Sequence, residues 1–91
     1  VALRKSITAE IRAAYSEMAQ WQKLAKRIDS ELLPKARENL SQIRAAHRNG
    51  QVPLQDVLRA REQELSLQLS VLESREKFHA ARARYLTATN G

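Results

Sequence analysis

Apolar residues recur at helical spacing along nearly the whole chain, and the pattern breaks once, between Asn49 and Leu58. Before the break the apolar positions run Ile7, Ile11, Ala14, Met18, Trp21, Ala25, Ile28. These steps alternate between four and three residues, the seam of a left-handed coiled coil. Beyond Ile28 the seam passes through Leu32, Ala36 and Leu40 before resuming at Ile43 and His47. One step has been added to the heptad, which reads as a stutter that relaxes the supercoil. Pro34 falls inside it. A proline lacks the N–H of a helical hydrogen bond and crowds the preceding turn, so the spacing predicts a kink near Leu33. The first helix is expected over about 2–48, with Asn49 or Gly50 in the left-handed conformation that ends a helix. At about 1.5 Å per residue its length would be roughly 65 to 70 Å.

After the break, Pro53 fits the first position of a second helix, and Asp56 places a carboxylate near the positive end of its dipole. The second helix is expected over about 54–88, leaving 49–53 as the tip. Its apolar residues make two stripes: Leu58, Leu65, Leu72, His79, Leu86, and Leu67, Val71, Ser74, Phe78, Ala81, Tyr85. One stripe suffices to pack on the first helix. The other requires a further partner, since two helices alone cannot enclose a core. The reading is therefore all-α: a long antiparallel two-helix coiled-coil hairpin, forming one unit over 1–91 and packing side by side with other helices.

Composition narrows the chemistry. Only two glycines and two prolines punctuate the 91 residues, so no second strong turn is expected. With no cysteine there is no disulfide framework and no thiolate ligand or nucleophile. Apolar residues amount to 43% but never approach the run of about 20 that a membrane-spanning helix needs. Starting at Val1 inside a helical pattern, the chain reads as a piece of a larger protein.

Sixteen basic residues against ten acidic ones give a formal charge of +6, which raises the question of nucleic acid. The charges are interleaved, as in Glu31, Lys35, Arg37, Glu38 and in Glu73, Arg75, Glu76, Lys77, the arrangement of a solvated helix face. Nucleic acid is not expected as a partner. The densest basic group is Arg75, Lys77, Arg82 and Arg84, which a hairpin would bring beside Arg4, Lys5 and Arg12 at the end away from the tip. His47 and His79 would sit at different heights and cannot share a metal. Trp21 reads as a seam filler. Asp56 and Glu62 have no pocket to desolvate them into an acid–base pair. No phosphate loop, activated nucleophile or cofactor fingerprint is present, so neither catalysis nor a cofactor or metal is expected.

The stretch Gly50-Gln51-Val52-Pro53-Leu54-Gln55-Asp56-Val57-Leu58-Arg59-Ala60-Arg61 resembles the Gly-x-x-Ser-x-x-Asp-Val-Leu-x-Ala-Gln signature of TolC-like outer-membrane efflux proteins. Glu31-Leu32-Leu33-Pro34-Lys35-Ala36 resembles the Leu-Leu-Pro-x-Ala segment that precedes the tip in many members. The closing Ala83–Gly91 stretch resembles the end of their returning helix. Each motif is short, and the likeness lies in their order and separation. It implies a periplasmic hairpin of a trimeric outer-membrane channel in a Gram-negative bacterium. Each protomer would give two hairpins to a tunnel of twelve helices, which conducts exported substrate. A periplasmic adaptor protein would dock on the tip, with an inner-membrane pump supplying the energy. By this resemblance Gly50, Val52, Leu54, Val57 and Leu58 are adaptor contacts, and Asp56 and Arg59 lie at the periplasmic entrance.

The chain departs from the family pattern at His47, where Tyr is common, at Pro53, where Ser is common, and at Arg59, where some members carry an acid. The closed-entrance network therefore does not transfer, and Arg59, three residues from Asp56, is placed to pair with it. The Leu-Leu-Pro segment and the ending lean toward the heavy-metal efflux branch and toward its second hairpin. Two rivals stand beside this reading. One is the adaptor's own hairpin, whose tip carries an Arg-Leu-Ser pattern; Arg44, Arg48 and Leu54 are present here but the serine is not. The other is a free-standing coiled-coil interaction module. Whatever the parent, the isolated hairpin is expected to associate with copies of itself.

Overall fold

The computed structural model describes the backbone over residues 2–90 and side chains over 7–90. Helix α1 spans Ala2–Arg27, a π-helical turn follows at Ile28–Leu32, α2 spans Leu33–Arg48 and α3 spans Leu54–Asn90. No strand occurs among the described residues. The chain is all-α, its two long helical runs pack together, and its contacts divide into two units.

One unit joins Val1–Ala25 with Leu72–Gly91. Ala14 and Ala25 of α1 and Ser74 and Ala81 of α3 are buried, with Ile11, Met18, Trp21, Phe78 and Tyr85 half-buried beside them. The rings of Tyr15 and Tyr85 meet at 6.0 Å, an ion pair joins Glu17 to Arg84, and the Lys77 ammonium lies 4.7 Å over the Trp21 ring. As positions on α1 rise, their partners on α3 fall. Ile7, the first residue of the expected seam, is largely exposed. Trp21 is more than a filler, because its face holds a cation at a distance where such contacts are attractive.

The other unit is Lys26–Val71. Ile28, Leu33, Ala36 and Leu40 are buried here together with Ala60 and Val71. This corrects the expected seam after Ile28. Leu33, not Leu32, is the buried residue, and the path Ile28, Leu33, Ala36, Leu40, Ile43, His47 is the heptad alternation with a single inserted residue. The π turn takes up that residue: the Leu33 N–H donates to the Ile28 carbonyl, five residues back. It also stands directly before Pro34, which enters α2 within its first two positions, where a missing N–H costs least. The Ser30 hydroxyl donates to the Lys26 carbonyl at 2.7 Å, giving a carbonyl in the altered ladder a further partner. Where a stutter was expected, the backbone widens by one turn of π-helix.

The buried positions are mostly small. Among the described residues, five of the ten that are buried are alanines and one is Ser74. Small side chains at the contact let helix backbones approach closely; Ile28, Leu33, Leu40 and Val71 are the larger residues buried with them, while Met18, Trp21, Phe78 and Tyr85 are half-buried.

Candidate functional site

The tip is built by backbone hydrogen bonds that the sequence makes possible at one residue. Gly50 takes φ +74°, in the left-handed region, so a side chain there would be strained even though nothing stands within 4 Å of an added Cβ. Around it the Gly50 N–H donates to the His47 carbonyl at 2.9 Å and the Gln51 N–H to the Ala46 carbonyl at 2.9 Å. This pair of bonds is the Schellman motif, which satisfies the last carbonyls of α2. Asn49 keeps an ordinary negative φ of −87°, so of the two candidates for the left-handed position the chain uses glycine.

The return into α3 starts at the expected bound, Leu54, and only the place of Pro53 differs: it stands just outside the helix and not at its first position. Pro53 precedes the helix, Leu54 is its first residue, and the Asp56 N–H donates to the Pro53 carbonyl at 3.1 Å. Asp56 does lie in the first turn. His47 ties the two sides of the tip together: its Nδ1–H donates to the Val52 carbonyl at 3.0 Å. A carbonyl oxygen only accepts, so the contact selects the Nδ1–H tautomer and leaves Nε2 as the second ring nitrogen. His47 was read as a seam residue; it is half-buried and also fixes the loop.

On this frame Gly50, Leu54, Leu58 and Arg59 are exposed, while Val52, Asp56 and Val57 are half-buried. The structure brings all seven into one short segment. Asp56 and Arg59 line one groove with Asn39, Ile43, Ala60 and Gln63, yet no ion pair joins them among the described residues. What the tip presents outward is therefore a pair of large leucines on a backbone held by hydrogen bonds.

The two stripes of α3 lie on opposite sides of the helix. In the second unit Leu58 is exposed and Ala60 buried, and Leu69 is 57% exposed while Val71 is 5%. In the first unit Leu72 is 61% exposed while Ser74 is 2%. Each pair is two residues apart, about 200° at 3.6 residues per turn, so the members point in opposite directions. The stripe of Leu67, Val71, Ser74, Phe78, Ala81 and Tyr85 faces the other helical run in each unit; Leu58, Leu65, Leu72, His79 and Leu86 face outward. Leu54 and Leu69 join the outward set. A strict seven-residue count missed them, although both fall within about 40° of Leu58 on the helical wheel.

The expected basic end is in part neutralised within its own unit. Arg84 is paired with Glu17 and Lys77 lies over Trp21. The side chains of Arg4 and Lys5 lie outside the described residues, and Arg12 is exposed. His79 is exposed and meets the Phe78 ring edge-on at 5.4 Å. Glu62 is exposed. Among the described residues there is no group of three or more His, Asp or Glu side chains placed to hold a metal ion, and no helix long and apolar enough to cross a membrane. No family model matches this chain, and no curated protein or solved structure is significantly similar to it.

Proposed function

We propose that the chain is a wall segment of an outer-membrane efflux channel: an antiparallel coiled-coil hairpin that stands beside others in a trimeric periplasmic tunnel and docks an adaptor protein through its tip. The observation that carries this reading is the outward leucine face of α3, opposite a face already covered within the chain. Burying a leucine side chain is worth roughly 1.5–3 kcal/mol, so several left in water on one helix face favour a neighbour lying alongside. A hairpin in a tube has such neighbours on both flanks. The tip signature running from Gly50 to Arg61 supports the same reading, with Leu54 and Leu58 exposed where an adaptor would meet them and Gly50, Val52 and Val57 holding their frame. Asp56 and Arg59, unpaired with each other, would face the entrance as separate charges. In this role the chain conducts substrate passively and performs no chemistry of its own.

The test is photo-crosslinking in Gram-negative cells that express the protein carrying this segment, with a photoreactive residue placed at Leu72 or at Leu54. The expected result is an outer-membrane protein whose Leu72 position captures a copy of the same polypeptide and whose Leu54 position captures a different, periplasmic protein. Recovery of the protein in the cytoplasm, or an absence of both products, would overturn the proposal.

A further inference from the structure

Arg37, Arg44 and Arg48 project from one narrow face of α2, with Ser41 between them. Positions 0, 4, 7 and 11 residues apart fall within about 60° of one another at 3.6 residues per turn. They line an open groove of about 390 Å³ whose floor is the buried Leu40 and whose far wall is Glu64. Glu64 accepts a hydrogen bond from Gln68 Nε2 at 3.1 Å. Among the described residues none of the three arginines makes an ion pair or hydrogen bond with another side chain. Arg44 and Arg48, four residues apart, repel each other, a spacing that weakens a helix unless a carboxylate intervenes. Among the described residues Glu64 is the one carboxylate lining the groove, and it forms no ion pair with any of the three.

We propose that the groove is the docking site for an acidic amphipathic helix of another protein, its carboxylates repeating at seven and four residues. The spacing selects the partner. Arg37 and Arg44 are separated by a rise of about 10.5 Å and Arg44 and Arg48 by about 6 Å, too long a row for one small anion. A helix laid alongside α2 has the same rise, so glutamates at positions i, i+7 and i+11 meet all three guanidiniums, each able to bind a carboxylate through two N–H groups. The Leu40 floor takes an apolar side chain from between them. Glu64 opposes a row of phosphates but accepts a lysine, arginine or glutamine from the partner, which separates a helix from a nucleic acid. This holds whether or not the chain lines a channel.

Fluorescence anisotropy with the whole chain tests it. The probes are a labelled helical peptide with glutamates at i, i+7 and i+11, a peptide of the same composition with its glutamates spread around the helix, and a single-stranded RNA oligonucleotide. The in-register peptide is expected to bind, to weaken with salt, and to lose about tenfold in affinity on Arg44→Gln, a loss of one charge-assisted contact. Glu64→Gln should not weaken it. Equal binding of the two peptides by the unaltered chain, tighter binding of the RNA, or indifference to Arg44→Gln in a variant of unchanged helical circular dichroism would each overturn the assignment.

Discussion

The two sides of α3 invert the usual distribution of size in a folded protein. The side that is buried within the chain carries Ala60, Val71, Ser74 and Ala81; the side left in solvent carries Leu54, Leu58, Leu65, Leu69, Leu72 and Leu86. In a self-sufficient domain the largest aliphatic residues fill the core, because they gain most from leaving water. Here the fully buried residues of α3 are small, and six of its seven leucines, all but the half-buried Leu67, remain outside. On the proposed reading the internal packing is one half of a design whose other half is a neighbouring helix. The first helical run shows how strictly the inward half is kept: when one extra residue enters the heptad, the backbone takes a π turn at Ile28–Leu32 sooner than let Ala36 and Leu40 rotate away.

The largest expected effect comes from altering that phase. Deleting Ser30 removes the extra residue and restores a regular heptad, so the fold should survive with an ordinary α-helical turn. Deleting Ser41 instead rotates all that follows in α2 by about 100°, carrying Ile43 and His47 off the contact. Thermal unfolding followed by circular dichroism should remain cooperative for the first deletion and lose cooperativity for the second. Equal damage from both would contradict the inserted-residue account.

Next in size is a pair of substitutions on the two sides of α3. Ala81 is 0% exposed, so Ala81→Leu should destabilise the chain by about 1–3 kcal/mol through overpacking. Leu72→Ala, measured in urea at a concentration low enough to keep the chain monomeric, should change stability by no more than about 0.5 kcal/mol. A reversed order would mean the two sides are wrongly assigned. Comparable to the Ala81 change at its lower end is Gly50→Ala, which forces a Cβ into the left-handed region and should cost about 1–2 kcal/mol in the same denaturation measurement. If it costs nothing, the Schellman closure of the tip does not depend on glycine.

Much of this architecture was legible in the spacing of apolar residues. The single break at Asn49–Pro53, the seam through Ala14, Ala25 and Ile28, and the presence of two stripes on the second helix all follow from periodicity, which reports burial directly. The π turn was not legible. The steps Ile28, Leu32, Ala36, Leu40 fit a stutter as well as an insertion, and only the backbone decides whether Leu32 or its neighbour Leu33 turns inward. Pro53 was misplaced by one residue because its fixed φ suits both the first helical position and the one before it. The tip segment could be found from its turn residues, yet the bond from His47 to Val52 could not, since it joins a helix end to a loop whose path the sequence leaves open. The arginine groove was hidden for a similar reason: along the chain Arg37, Arg44 and Arg48 look like scattered members of an interleaved charge pattern, and they become a ladder only once α2 sets them opposite Glu64.

The most direct test of the central claim, that the leucine side of α3 is an association surface, is sedimentation equilibrium of the chain at tens of micromolar. The account predicts a species larger than a monomer, and predicts that replacing Leu65, Leu69 and Leu72 together by glutamine yields a monomer with unchanged helical content. A native chain that sediments as a monomer at that concentration would contradict it.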